Sequence, residues 1–127
     1  MDEAGKSPTP AQPQPATPVG LLSIDDFKKL QLRVGIVTSA QDHPNADRLL
    51  ILSVDIGEPT PRQLIAGIRG SYQAADLIGK HVVVVANLKP AMLRGVESQG
   101  MVLAASDSAS IILVAPERPI AAGSQVK

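Results

Sequence analysis

Cysteine and tryptophan are both missing from this sequence, and aromatic residues make up 2% of it, as Phe27 and Tyr72. Without cysteine there is no disulfide framework and no thiolate zinc site, and a reducing, cytoplasmic setting is the expectation. Two aromatics cannot give each base of a single strand its own stacking platform. Net charge is zero, so the molecule as a whole is not a cation drawn to polyanions. No apolar run approaches the roughly 20 residues that span a bilayer, and no basic-then-apolar segment opens the chain. Neither membrane insertion nor export is expected.

What is present suffices for one folded unit. The chain has 127 residues, 44% of them hydrophobic, which fits a single domain with a packed core. Residues 1–22 differ in character from the rest. Pro8, Pro10, Pro13, Pro15 and Pro18 fall there among Ala, Gln, Ser and Thr. Such a stretch has no apolar face to bury and favours extended, solvated conformations. It reads as a disordered tail or linker, with the folded domain over 23–127.

Ser23-Ile24-Asp25-Asp26-Phe27-Lys28-Lys29-Leu30 has a capping Ser, acids in the first turn and Lys in the last, the order that suits free amides and the helix dipole. Ile24, Phe27 and Leu30 share a face, so this helix is expected to plug one end of the fold. Leu32 to Ala40 reads as a strand, with Gly35 marking a bend or bulge. Leu50, Leu52, Val54 and Ile56 fall at alternate positions on one face, which predicts a strand. Arg62 to Ile68 gives a third. Ser71 to Gly79 reads as a helical turn or two, capped by Ser71 and closed by Gly79. Strands over 80–86, 100–105 and 111–114 follow. Three strands, a short helix and two more strands is the order of an all-β, five-stranded OB-fold barrel, here with a C-terminal extension.

The stretch from Ala86 to Leu103 is more decorated than a chain reversal requires. It carries Lys89, Arg94, Glu97, Ser98 and Gln99 on a frame of Pro90, Gly95 and Gly100. Polar groups on a loop held between rigid strands are where binding function concentrates. Charge is also uneven: residues 59–96 hold Arg62, Arg69, Lys80, Lys89 and Arg94 against Asp76 alone, net +4. Cations beside hydroxyl and amide groups suit phosphate and ribose oxygens.

Enzyme chemistry finds little support. His43 and His81 have no nucleophile at a supporting spacing. His43 and Asp47 make a weak metal pair, and His43 is expected in a solvated loop. No glycine-rich phosphate loop opens a long helix. No catalytic residue, metal or cofactor is therefore expected. If the partner is nucleic acid, a folded RNA read by shape and backbone is the better candidate.

Several motifs now occur in a recognisable order: His43-Pro44-Asn45-Ala46-Asp47-Arg48-Leu49, then Ile78-Gly79-Lys80, then Ala86-Asn87-Leu88-Lys89-Pro90, and Arg94-Gly95-Val96-Glu97-Ser98-Gln99-Gly100-Met101. Together they resemble the bacterial tRNA-binding domain, found at the C-terminus of many bacterial methionyl-tRNA synthetases and as small free-standing tRNA-binding proteins. The resemblance covers about residues 24–127. It implies the barrel argued above, a homodimer, and capture of intact tRNA at the outer corner of its L shape, largely without regard to amino-acid identity. It points to Asn45, Arg48, Lys89, Arg94, Ser98 and Met101 as tRNA-binding residues, supported by Asn87, Gly95, Glu97, Gln99 and Gly100.

Arg48 stands where the family commonly has Lys, which keeps the charge and adds a forked donor. Met101 serves either as contact or as core. Glu97 is expected to pair with Arg94 or Lys89, Asn87 to pin the loop through backbone hydrogen bonds, and Ser98 to be hardest to explain as structure alone. Related eukaryotic chains carry an extra C-terminal domain in place of a second subunit. About two dozen residues follow Ala105 here, so self-association is the expected route. The expected role is non-catalytic, beside methionyl-tRNA synthetase, as a free-standing chain or as a module whose linker is the Pro-rich tail. A small export-related peptide-binding chaperone shares the fold and dimer form and is the alternative. It would need an apolar groove, whereas this loop reads as polar and basic.

Overall fold

The computed structural model describes residues 20–127, so the expected tail over 1–22 lies almost wholly outside the described residues. Within them the order is α1 (Ile24–Lys28), β1 (Leu32–Asp42), β2 (Leu50–Asp55), β3 (Arg62–Ala66), α2 (Ala74–Leu77) and β4 (His81–Val85). Six short strands follow: β5 (Ala91–Leu93), β6 (Val96–Ser98), β7 (Met101–Val102), β8 (Ala104–Ser106), β9 (Ile111–Leu113) and β10 (Gln125–Val126).

The main sheet runs β3-β2-β1-β4-β7, with β10 joined to the start of β1, and every pairing is antiparallel. The long β1 makes this possible. Its first half pairs β4 from Leu32 to Ile36, and its second half pairs β2 from Ile36 to Asp42. One strand thus serves two neighbours in succession and the sheet curls into a five-stranded OB-like barrel, as the sequence order implied.

The bulge that helps it curl falls between Val37 and Ser39 rather than at Gly35. Gly35 answers a different need. A Cβ there would lie 2.4 Å from Val54 Cγ1 and 3.2 Å from Ile56 Cγ2, so β2 packs against bare backbone at that point.

The core follows the predicted alternation. Leu50, Leu52, Val54 and Ile56 are buried with Leu64, Leu77, Val82 and Val84 inside the barrel. Burying each such side chain contributes about 1.5–3 kcal/mol. Val83 and Val85 face the other way and join Leu32 in a second cluster, against which Leu103 and Val126 pack. That explains the unbroken valine run of β4: both faces of the strand are covered, the outer one by the C-terminal extension.

Three expectations need correction. The apolar face of α1 plugs nothing: Ile24, Phe27 and Leu30 are 67%, 38% and 44% exposed. Ser23 does cap it, its Oγ accepting from Asp26 N at 3.1 Å. Ser71 does not cap α2, whose N-cap is Gln73. Instead Ser71 Oγ accepts from Ile111 N and Tyr72 Oη accepts from Leu113 N, both at 3.1 Å, docking β9 onto the loop before α2. Finally, the decorated stretch is not one loop between two strands. It folds into a β5–β6 hairpin, and the strand expected over 100–105 is divided into β7 and β8.

Candidate nucleic-acid interface

The hairpin turns through Arg94 and Gly95, with φ of +54° and +90°. Positive φ at both central residues is the signature of a type I′ turn, whose twist matches the flanking strands. Glycine adopts it freely, whereas arginine does so only at a cost. The turn thereby sets an arginine at the exposed tip of a short ribbon.

Four sets of hydrogen bonds fix that ribbon to the barrel. Ser98 Oγ accepts from Ile65 N and donates to Gly100 O, each at 2.9 Å. Gln99 N donates to Gln63 O at 2.8 Å, and its Oε1 accepts from Gln63 N at 3.0 Å. Gln63 Nε2 donates to Glu97 O at 2.8 Å. On the other side, the His43 imidazole bonds Leu93 O at 3.0 Å through Nε2 and Asn45 N at 3.0 Å through Nδ1. The free edge of β3 is therefore satisfied largely by the side chains of Ser98 and Gln99 rather than by a regular ladder.

The loop from His43 to Leu49 stands next to the hairpin. Arg94 Nη2 donates to Asn45 O at 3.2 Å, so the two segments touch. Arg69 braces the loop from beneath, with Nη2 donating to Asp42 Oδ2 at 2.9 Å and its backbone N to Arg48 O at 3.3 Å. Around these segments lie two depressions. A cleft of about 400 Å³ under the hairpin is lined by Ile65, Leu88, Lys89, Leu93, Met101 and Ile111, among others. A wider groove of about 750 Å³ runs between Arg48, Asp47, Arg69 and the β8–β9 turn. In that turn Asp107 Oδ1 accepts from Ala109 N and Ser110 N, both at 2.8 Å. Those backbone donors hold its carboxyl below the usual carboxylate range, so the groove is of mixed sign.

The expected site residues fall into distinct groups. Asn45, Arg48, Lys89 and Arg94 are exposed, and among the described residues no acid forms an ion pair with these three cations. Met101 is 46% exposed on the wall of the apolar cleft, a surface position rather than a core one. Ser98 is placed against expectation: it is 3% exposed, and its hydroxyl is engaged twice inside the protein.

Glu97 forms no ion pair with Arg94 or Lys89 among the described residues, and its backbone carbonyl is the atom that holds the hairpin. Asn87 does pin backbone, but at α1. Its Oδ1 accepts from Gln31 N at 2.8 Å and its Nδ2 donates to Lys29 O at 2.6 Å. Gly100, at φ +140°, would bring a Cβ to 2.9 Å from Val85 O, so it serves close backbone approach.

Two readings of charge also change. Arg62 forks onto both Glu58 oxygens at 2.9 Å, while its Nη1 donates to Ala86 O and Gln99 O. That hydrogen bond holds the Glu58 carboxyl below its usual value and raises the Arg62 guanidinium. With Arg69 tied to Asp42, two of the five cations in the basic segment are neutralised by acids outside it. His43, expected in a solvated loop, is 2% exposed. Its bond to Asn45 N is local, but the sequence does not show the burial, because the hairpin that covers it, bonded through Leu93 O, lies 50 residues away.

Comparison with known proteins agrees with this architecture. Residues 32–125 match the family model described as "Putative tRNA binding domain". The chain is 47% identical over 106 residues to the methionine–tRNA ligase of Thermococcus kodakarensis, covering 84% of this chain and 14% of that protein. It is 45% identical over 130 residues to the methionine–tRNA ligase of Deinococcus radiodurans, covering 99% and 19% respectively. The chain thus spans a fifth or less of the length of these curated relatives.

Among solved structures, the MetRS related protein from Pyrococcus horikoshii superposes with a TM-score of 0.79 at 33% identity, over 86% of this chain and all of that one. The chaperone CsaA from Bacillus anthracis gives 0.77 at 30% identity, over 85% and 100%. Matched over most of its folded length by the family model and by relatives well above 30% identity, this chain belongs to the tRNA-binding domain family.

Proposed function

We infer that the chain captures folded tRNA at its outer corner, without catalysis of its own, on the face built from the β5–β6 hairpin and the 43–49 loop. The observation that carries this is the grouping of Arg48, Lys89 and Arg94. All three are exposed and none is paired with an acid among the described residues. Arg48 and Arg94 stand on two segments joined by the bond from Arg94 to Asn45 O, and Lys89 lies just before the hairpin, on the lining of the cleft it shares with Leu93. Arginine forks and lysine ammonium groups hold phosphates, with Asn45 and the backbone available to ribose. Ser98 and Gln99 act in this scheme by holding the hairpin. The partner enzyme is methionyl-tRNA synthetase, the activity named for the relatives, and the chain would raise tRNA concentration beside it in the cytoplasm.

Three phosphate contacts give a salt slope of roughly −2 to −3 per chain, which is weak binding at physiological salt. Two copies would double it, so a homodimer fits the function. The apolar side chains of Leu22, Ile24 and Phe27, which are in solvent here, are available to a second copy. The test is binding of folded tRNA and of a single-stranded RNA of equal length across a salt series, with mass by light scattering. Preference for folded tRNA, a slope of roughly −4 to −5 and a dimer mass support the reading. Equal affinity for both RNAs, or no salt dependence, overturns it.

One observation favours a second reading. The cleft beneath the hairpin is mainly apolar, with Leu88, Leu93 and Met101 on its wall, so the apolar groove that a peptide-binding chaperone needs is present beside the basic tip. The structurally similar CsaA of Bacillus anthracis is a chaperone. Binding of unfolded peptide that survives Arg48, Lys89 and Arg94 substitution would support this alternative over tRNA capture.

A further inference from the structure

We propose that His43 is a positioning residue for RNA capture: a buried imidazole that locks the Arg94 hairpin and the Asn45 loop into one rigid face. The inference rests on the tRNA-binding reading above. Asn45 N–H points at Nδ1 at 3.0 Å, and a backbone amide can only donate, so Nδ1 bears no proton. Nε2 must then carry it and donate to Leu93 O at 3.0 Å. Both ring nitrogens are satisfied by backbone, on two segments 48 residues apart, with the ring 2% exposed.

Leu93 is the residue before Arg94, and its carbonyl leads directly into the turn. Asn45 carries the carbonyl that receives Arg94 Nη2. The imidazole and the arginine therefore bridge the same two segments, one from inside and one from the surface. Without the inner bridge, the hairpin is still held at its base by Ser98 and Gln99, but the side bearing Leu93 is released and Arg94 loses its fixed direction. Preorganised placement of a charge is what gives it binding value, because ordering it at the moment of contact costs entropy.

Two near-isosteric variants separate the two bonds. His43→Asn places an amide oxygen near the Nδ1 position, keeping the Asn45 bond and losing the one to Leu93. His43→Gln extends an amide towards Leu93 and loses the other. Hydrogen exchange reads the latch without RNA. Faster exchange of the hairpin amides in His43→Asn, with those amides closer to wild type in His43→Gln, supports it; unchanged hairpin exchange in His43→Asn overturns it. Imidazole nitrogen shifts of the wild-type protein should report the Nε2–H tautomer, and an Nδ1–H tautomer also overturns it.

The functional arm is a double-mutant cycle with Arg94→Gln on tRNA affinity. His43→Asn alone should weaken binding by about two- to twelvefold, the worth of one net hydrogen bond. In the Arg94→Gln background it should add less than about twofold, since there is no longer a guanidinium to aim. Full additivity overturns the positioning role. Failure of the wild-type protein to bind folded tRNA overturns the underlying reading instead, and the exchange data then judge the latch separately.

Discussion

Replacing Arg94 with Asn should weaken tRNA affinity at no cost to stability. Arg94 sits at φ +54°, where an ordinary L-residue costs about 1–2 kcal/mol relative to the right-handed region. Asn tolerates that conformation and is favoured at this position of a type I′ turn, so about 0.5–1 kcal/mol of strain is relieved by the substitution. The exposed bond from Arg94 to Asn45 O is lost, and a net hydrogen bond of that kind offsets about 0.5 kcal/mol. The balance is zero to slightly positive, a shift of up to roughly 4 °C in Tm for a domain of this size.

Binding behaves otherwise. One charged contact to phosphate is removed per chain, which should weaken tRNA affinity about tenfold or more and reduce the salt slope by roughly 0.7–0.9. Arg94→Lys serves as the control: it keeps the strain and the charge but not the fork. Its Tm should fall slightly, by the roughly 0.5 kcal/mol of the lost bond to Asn45 O, while affinity falls less than in Arg94→Asn. The measurements are thermal melts and tRNA titrations at four salt concentrations. A Tm lowered by several degrees in Arg94→Asn would refute the strain argument. Unchanged affinity and slope would remove Arg94 from the interface.

Other substitutions test the frame. Gly35→Ala puts a methyl group 2.4 Å from Val54 Cγ1 and should lower stability by about 1–3 kcal/mol in urea unfolding, although Gly35 lies in no loop. Ser98→Ala strands the Ile65 N–H and the Gly100 carbonyl, costing about 1–3 kcal/mol. It should leave tRNA salt slope unchanged, because its hydroxyl faces inward; a slope reduced by about one would return Ser98 to the contacts. The Glu58–Arg62 pair predicts a pH effect. Its lowered carboxylate value means that its stabilisation is complete above the ordinary Glu range near 4.3 and is lost as pH falls through the lowered value. Partial exposure keeps this below about 1 kcal/mol, and Glu58→Gln should flatten that part of the urea-midpoint profile on the acid side of the ordinary Glu range.

Legibility in the sequence followed the range of the interaction. The alternation from Leu50 to Ile56 is local, and it placed β2 and its buried face correctly. The cap of α1 is local too, spanning Ser23 to Asp26. Periodicity also marked the apolar side of α1 but carries no information about what covers that side, so the inference that it plugs the barrel failed. Arg62 and Glu58 are four residues apart, a spacing at which an ion pair is legible, although they lie on opposite sides of the boundary of the basic segment at residue 59. Arg69 and Asp42, 27 residues apart, could not. Ser98 and His43 illustrate the same limit at the site. Each is polar and close to turn formers, which reads as exposed, and each is buried with one bond to a partner more than 30 residues away. The exposure of Arg94 needed no such partner to be read, since a charge beside Gly95 on a short turn is visible without knowing what lies beneath it.

Closing the β3 edge with the side chains of Ser98 and Gln99 has a consequence for how such a protein can change. Register there is set at the base of the hairpin and, through His43, one residue before its tip. Nothing beyond Leu93 and Val96 is needed by the barrel. The two-residue tip can therefore be lengthened or exchanged without shifting a core strand. It is a socket: variants that graft longer basic or apolar tips between Leu93 and Val96 should keep the fold while acquiring new ligands. One scaffold could in this way serve both an RNA and a peptide.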